Sequence, residues 1–416
     1  MMCPGRASWA KFSRPSGTKF VSPDSHARAS ESEVRFSLRF VPRPRPCAFS
    51  VGSGAIFRLC SRMSTRLLAF FFMVLSVAGV RAAEPPPIPV KVVVISLFEP
   101  GADQGDTPGE YQYWVEREHL DHLYPFPQGF HSLRMNDQGV LGVLAGVGTA
   151  RAAASIMALG LDPRFDLSKA YWLIAGIAGA DPQDASLGSA VWAEWAVDGD
   201  LAYEVDAREI PPQWTTGYVP LNKTVPYEKP RNDENFTMFH LNPGLREWAY
   251  QQTKAVALDD SPALQEARMH FEGANAHRPP FVLKGDTLSA STFWHGKLLD
   301  QWANDWVSYH TDGKGNFVTS AMEDTGVLQS LTFLQRTGRV DLNRVMVLRT
   351  VSNFDQPPAG LTAAQSLAAN AGHRYSAYLP ALEAAYRVGN VVVSNIVTNW
   401  DRYQDHIPGS QLKEKP

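Results

Sequence analysis

No cysteine occurs after residue 60 of this 416-residue chain, and Cys3, Cys47 and Cys60 are the three it has. The rest of the chain has no disulfide framework of its own and no thiolate site for zinc or an iron–sulfur cluster. Long apolar runs are scarce as well. The run from Leu67 to Val80 is shorter than the ~20 residues that a membrane-spanning helix needs. Positive charge is short once the N-terminus is set aside. Residues 1–62 hold eleven of the 39 Lys/Arg but three of the 42 Asp/Glu, and Arg66 and Arg81 follow. Residues 84–416 keep 26 basic and 39 acidic groups, a net charge of −13 with His neutral. A body that acidic argues against nucleic acid or an anionic membrane as partner, because both need basic surface.

Residues 1–62 are rich in Arg, Ser and Pro and show no sustained apolar period, so they are expected to be disordered. Met63-Ser-Thr-Arg66, the apolar run and Arg81-Ala82-Ala83 follow the order of a secretory signal peptide: a basic residue, an apolar stretch, then small residues. Such signals sit at the N-terminus. The expectation is therefore translation from Met63, with residues 1–62 a non-native upstream extension and 63–83 a signal. The mature protein, 84–416, is expected to be periplasmic or secreted, without a transmembrane span. A long organellar transit peptide is the alternative reading.

Further on, apolar segments alternate between strand and helix patterns. Val90–Phe98, Gly139–Gly146, Ala170–Ala175, Ser189–Val197, Phe281–Asp286, Phe317–Ala321 and Val345–Arg349 read as strands, several with both faces apolar. Trp114–Leu123, Thr149–Leu159, Gly244–Leu258, Met322–Gln335 and Gln365–Arg387 read as helices. The order predicts a single α/β domain over 84–416 built on a mostly parallel sheet, with loop-borne sites at the C-terminal ends of its strands. A loop-rich, Pro-punctuated insertion is expected at about 198–280.

Four short segments carry candidate chemistry. Gly146-Val-Gly148-Thr149-Ala-Arg151 and Gly176-Ile-Ala-Gly179 read as strand-to-helix turns, for which backbone conformation alone is a sufficient reason for glycine. Ser320-Ala-Met322-Glu323 places a carboxylate at a strand–helix junction, where an ordinary helix-terminal role competes. Arg349-Thr-Val-Ser-Asn353-Phe-Asp355 is a buried strand breaking into polar residues. Glu116-Arg-Glu-His119-Leu-Asp-His122 and His131 lack zinc-ligand spacing and a Cys partner.

In this order, joined by Gly285-Asp286, the segments resemble the nucleoside phosphorylase and nucleosidase superfamily across residues 84–416, and within it the purine nucleoside permease family. The resemblance implies a three-layer α/β/α fold around a central mixed β-sheet and a purine nucleoside as ligand, with Glu323 on the ribose hydroxyls and Met322 against the sugar. It places Asn353 at the purine's N7 edge, and Gly146, Gly148, Gly176 and Gly179 as turn glycines lining the site. In much of the superfamily the residue matching Asn353 is Asp, which protonates the leaving base. Asn is unable to do so, although its amide N–H is a donor. Asp355 is the nearest carboxyl able to supply an acid. Leu288 stands where an aromatic usually stacks on the base, with Phe293 and Trp294 as substitutes.

Two departures bear on the acceptor. Ile174 and Ile177 lie where phosphate-holding side chains are expected, leaving Thr149 and Arg151 as candidate anion ligands. The acid that positions water in nucleosidases has no clear match near Glu99. The resemblance implies N-glycosidic cleavage, hydrolysis favoured over phosphorolysis, with no cofactor or metal needed. The rival expectation is a non-catalytic exported nucleoside-binding component that supports uptake. The sequence leaves a homo-oligomer open.

Overall fold

The computed structural model describes residues 85–231, 237–370 and 376–410. The upstream extension, the signal segment and the three cysteines lie outside the described residues. The strands that build the main sheet are β1 (Val92–Ser96), β2 (His122–Tyr124), β3 (Leu133–Met135), β4 (Val140–Leu144), β5 (Tyr171–Ala180), β6 (Ala190–Asp198), β7 (Met238–His240), β8 (Val282–Ser289), β9 (Phe317–Ala321) and β10 (Val345–Phe354). Helices are α1 (Gln112–Arg117), α2 (Thr149–Leu161), α3 (Pro243–Thr253), α4 (Pro262–Met269), α5 (Lys297–His310), α6 (Asp324–Arg336), α7 (Ala363–Asn370) and α8 (Tyr378–Thr398).

Every residue of β1 is buried, and its alternation assigns the two faces. Val93 and Ile95 pack with Ala152, Ile156 and Leu159 of α2 and Leu328 and Leu331 of α6. Val92 and Val94 join Trp114 of α1, Leu245 of α3 and Val388 and Val392 of α8. Helices thus cover both faces, which is why the central strands are apolar at every position. A third cluster seats α5, through Trp302 and Trp306, on Leu288 and Phe317.

The sheet order is β7-β6-β8-β9-β5-β1-β4-β3-β2, and β10 pairs with both β5 and β6. The strands β5, β10, β6, β8 and β9 therefore close on themselves. Pairing is parallel for β1 with β4 and β5, β10 with β5, and β8 with β6 and β9. It is antiparallel for β9 with β5 and β10 with β6. Register shifts at Gly285–Thr287 and Val351–Asn353 turn the corners that closure requires. The expected α/β class with a mixed central sheet is the observed one.

Four elements differ from the sequence reading. The strand expected to end at Ala175 runs on to Ala180, so Gly176 and Gly179 are strand residues and not turn residues. The strand expected to break at Arg349 continues to Phe354, each polar residue finding a partner in the molecule's interior. The helix expected over Gln365–Arg387 is two helices, with Pro380 in the first turn of the second, where its missing N–H is harmless. The helix expected to reach Leu123 stops at Arg117, because His119 adopts φ 51° and turns the chain into β2. The segment from 198 to 280 also enters the core: β7 extends the sheet beside β6, and Leu245 and Ala249 of α3 are buried.

Candidate functional site

Arg349 is the centre of the site. It lies in β10 and is 1% exposed. A guanidinium is tolerated there only with charge partners at hydrogen-bond distance. Its Nη2 lies 2.6 Å from Asp324 Oδ1 and 3.2 Å from Glu323 Oε2, and its Nε donates to Asp324 at 3.1 Å. Its Nη1 donates to the Ile177 carbonyl at 3.2 Å. Asp324 is steadied by the Thr287 hydroxyl at 3.2 Å. The sequence reading gave neither Arg349 nor Asp324 a role.

Glu323 occupies the N-cap position of α6 with φ −132°, outside helical conformation, so its side chain is free to turn back toward the sheet. There Oε1 accepts from Gly148 N at 3.2 Å. Gly146 and Gly148 have φ of 92° and 89°, a region open to glycine and strained for other residues. These two are turn glycines as expected. Burial pushes the Glu323 carboxyl up, Arg349 opposing. Met322 is half-buried beside it.

A third carboxyl joins them, and sequence reasoning missed it. Glu110 accepts from Leu97 N and Ile177 N, both at 2.7 Å, so it ties the residue that follows β1 to Ile177 within β5. Its placement depends on Glu99. That carboxylate accepts from Gly109 N at 2.5 Å, Gln112 N at 2.8 Å and Tyr111 N at 3.1 Å, capping α1 and pinning the chain on either side of Glu110. Glu99 is thus the clamp and Glu110 the group presented. Burial pushes Glu110 up to about 8, with Glu323 adding to the rise and Arg349 opposing it. A Cβ on Gly176 would lie 2.5 Å from Glu110 Oε1 and 2.6 Å from Arg349 Nη1. Gly176 is therefore needed for the side chains laid across it.

At the end of β10, Asn353 is buried, its Oδ1 accepting from Ser352 Oγ at 2.9 Å and its Nδ2 reaching the Phe354 carbonyl at 3.3 Å. Asn353 and Ser320 both lie in register with Gly179, from β10 and β9 on its two sides. The Asp355 carboxyl covers Gly179 where a side chain would stand.

Leu288 is fully enclosed in the α5 core cluster and has no exposed side chain to offer a base. Trp294 is in the same cluster, its ring 5.8 Å from that of Trp302. Phe293 is half-exposed. Thr149 Oγ1 meets Ser291 Oγ at 2.5 Å, and the exposed Arg151 donates to the Val147 carbonyl at 3.0 Å. His122 pairs with Asp137 and His131 with Asp103. A cavity of about 360 Å³ opens beside the first turns of α2 and α6, lined by Thr149, Asp198, Asp200, Thr325 and Gln329.

A family model described as purine nucleoside permease matches residues 89–408. The chain belongs to the purine nucleoside permease family. A probable purine nucleoside permease of Schizosaccharomyces pombe is 32% identical over 322 residues, covering 74% of this chain and 90% of the relative. A purine nucleoside permease of Candida albicans is 29% identical over 316 residues, covering 75% and 76%. Among solved structures, a 5′-methylthioadenosine/S-adenosylhomocysteine nucleosidase from Neisseria meningitidis, in complex with methylthio-immucillin-A, is similar. It shows 16% identity and a TM-score of 0.42, over 74% of this chain and 100% of that one. Futalosine hydrolase of Helicobacter pylori gives 13% and 0.43, over 74% and 98%. In this member of the permease family, no helix among the described residues is long and apolar enough to cross a membrane.

Proposed function

We propose that the protein binds a purine nucleoside where Glu110, Glu323 and Arg349 converge and hydrolyses its N-glycosidic bond. The convergence of these three groups is the observation that carries the reading. A carboxylate on vicinal ribose hydroxyls makes strong, charge-assisted hydrogen bonds, and Glu323 is placed to do this with Met322 beside the sugar. Glu110 is an acid poised near neutrality, able to take a proton from water as it attacks C1′. Asn353 offers its amide N–H to the purine.

Charge favours water over phosphate. Glu110, Glu323 and Asp324 surround one guanidinium, so the fully ionised cluster is net negative. That field stabilises an oxocarbenium-like sugar and repels a phosphate dianion. Ile174 is buried, and Arg151 is exposed with a donor on Val147, which supports the same choice. Incubating the protein with inosine or adenosine should release free ribose at a rate unchanged by phosphate. Ribose 1-phosphate formed only with phosphate present would overturn the acceptor assignment. Asn353, which is unable to release a proton, favours a second reading, capture of a nucleoside for uptake without cleavage. Tight binding with no turnover in either buffer would establish that instead.

We place the protein outside the cytoplasm, in nucleoside salvage or uptake, on the strength of the Met63–Ala83 pattern. N-terminal sequencing should find exported protein starting near Glu84, and export with residues 1–62 intact would contradict it.

A further inference from the structure

Asp355 and its surroundings are not used by the chemistry above. Asp355 is 1% exposed; Oδ1 accepts from Ser320 Oγ at 2.7 Å, and Oδ2 has no partner. Asp300, from α5, is 4% exposed; Oδ2 accepts from Gln356 Nε2 at 2.8 Å, and Oδ1 has no partner. Asp181, just beyond β5, accepts from Asn304 Nδ2 at 2.9 Å. Asp184 adds a further negative charge beside Asp300. Among the described residues no cation offsets them: His295, in the loop whose neighbour Gly296 bonds the Asp355 carbonyl, spends Nε2 on Ser366, and burial pulls its pKa down. Buried carboxyls without a cation hold protons. Burial and the charge of Asp300 raise Asp355 well above the carboxylate range, and Asp300 itself is pushed up to about 7.

The position matters as much as the proton. Asn353, Gly179 and Ser320 form a row across β10, β5 and β9. The Asp355 carboxyl stands over Gly179, the residue in register with Asn353, and its Oδ2 is unpartnered.

We propose that Asp355 is the acid that protonates the departing purine in place of Asn353, and that Asp300 is the positioning residue that keeps Asp355 protonated. The inference rests on the hydrolytic reading. As the C1′–N9 bond breaks, its electron pair passes to the purine and the Asp355 proton goes to N7. Water forms the new bond to C1′ and its proton goes to Glu110. The products are ribose and neutral purine, and the proton gained by Glu110 balances the one lost by Asp355. Asn353 then orients the base and Asp355 supplies the charge.

The test compares inosine with p-nitrophenyl β-D-ribofuranoside, whose leaving group departs without protonation. Asp355→Asn should lower kcat on inosine by roughly a hundredfold or more and leave the nitrophenyl riboside almost untouched. In the wild type, the alkaline limb of the kcat/KM profile should appear with inosine and be missing with the nitrophenyl riboside. Asp300→Asn leaves Asp355 in place and should move that limb to lower pH, a shift that a purely structural role would not produce. Equal losses on both substrates in Asp355→Asn, together with an unmoved limb in Asp300→Asn, would overturn the proposal while leaving hydrolysis standing. A wild type inert toward both substrates would overturn hydrolysis itself.

Discussion

Glu110→Gln is expected to lower inosine hydrolysis by roughly a hundred- to ten-thousandfold, the usual contribution of a positioned general base, with nucleoside affinity nearly unchanged. Gln retains the shape, and its single amide oxygen can accept from either Leu97 N or Ile177 N while its NH2 faces the other, so the variant loses one of the two bonds that anchor the loop. In the wild type, kcat/KM should rise with pH through about 8, since Glu110 must be ionised to take the proton. The stability sign is opposite. A carboxyl whose pKa rises on folding favours the folded state below its unfolded value, and that contribution is lost as pH climbs to the folded one. Wild-type stability should therefore decline between about 4.5 and about 8 from this group, and the Gln variant should lack that part of the decline. A pH–rate profile paired with denaturant melts checks both. A full rate at Glu110→Gln would remove this residue from the chemistry.

Glu323→Ala is expected to weaken nucleoside binding by about ten- to a hundredfold, since hydrogen bonds to a charged group are worth roughly 1.5–3 kcal/mol. Free purine, which has no ribose, should bind as before. Arg349 keeps Asp324 as partner in the variant, so the cluster should hold together. Titrations of nucleoside and free base against the same variant separate the two. Equal losses for both would place Glu323 away from the sugar.

What could be read from the sequence followed how local its cause was. The β-branched run Val92–Ser96 and the Ala-rich helix from Thr149 announce themselves by composition and period. Glu323 was legible because a strand–helix junction sets its position within a few residues. Glu110 was not, because its role depends on contacts far along the chain. It lies in a loop whose path is set by Glu99, and its partner Ile177 is 67 residues away. Gly176 and Gly179 were visible, but the pattern suggested a turn. Only the packed structure shows that glycine there makes room for Glu110, Arg349 and Asp355 on a continuing strand. Leu288 follows the same rule in reverse: its place after Gly285-Asp286 suggested a base contact, but α5 covers it.

The most direct test of this account is a crystal structure of the Glu110→Gln variant with intact inosine. The ribose hydroxyls should meet the Glu323 carboxylate, with the purine toward Asn353 and Asp355 and C1′ facing residue 110. Inosine lodged instead in the cavity lined by Thr149, Asp198, Asp200 and Gln329, with Glu323 still closed onto Arg349 and Gly148, would contradict it.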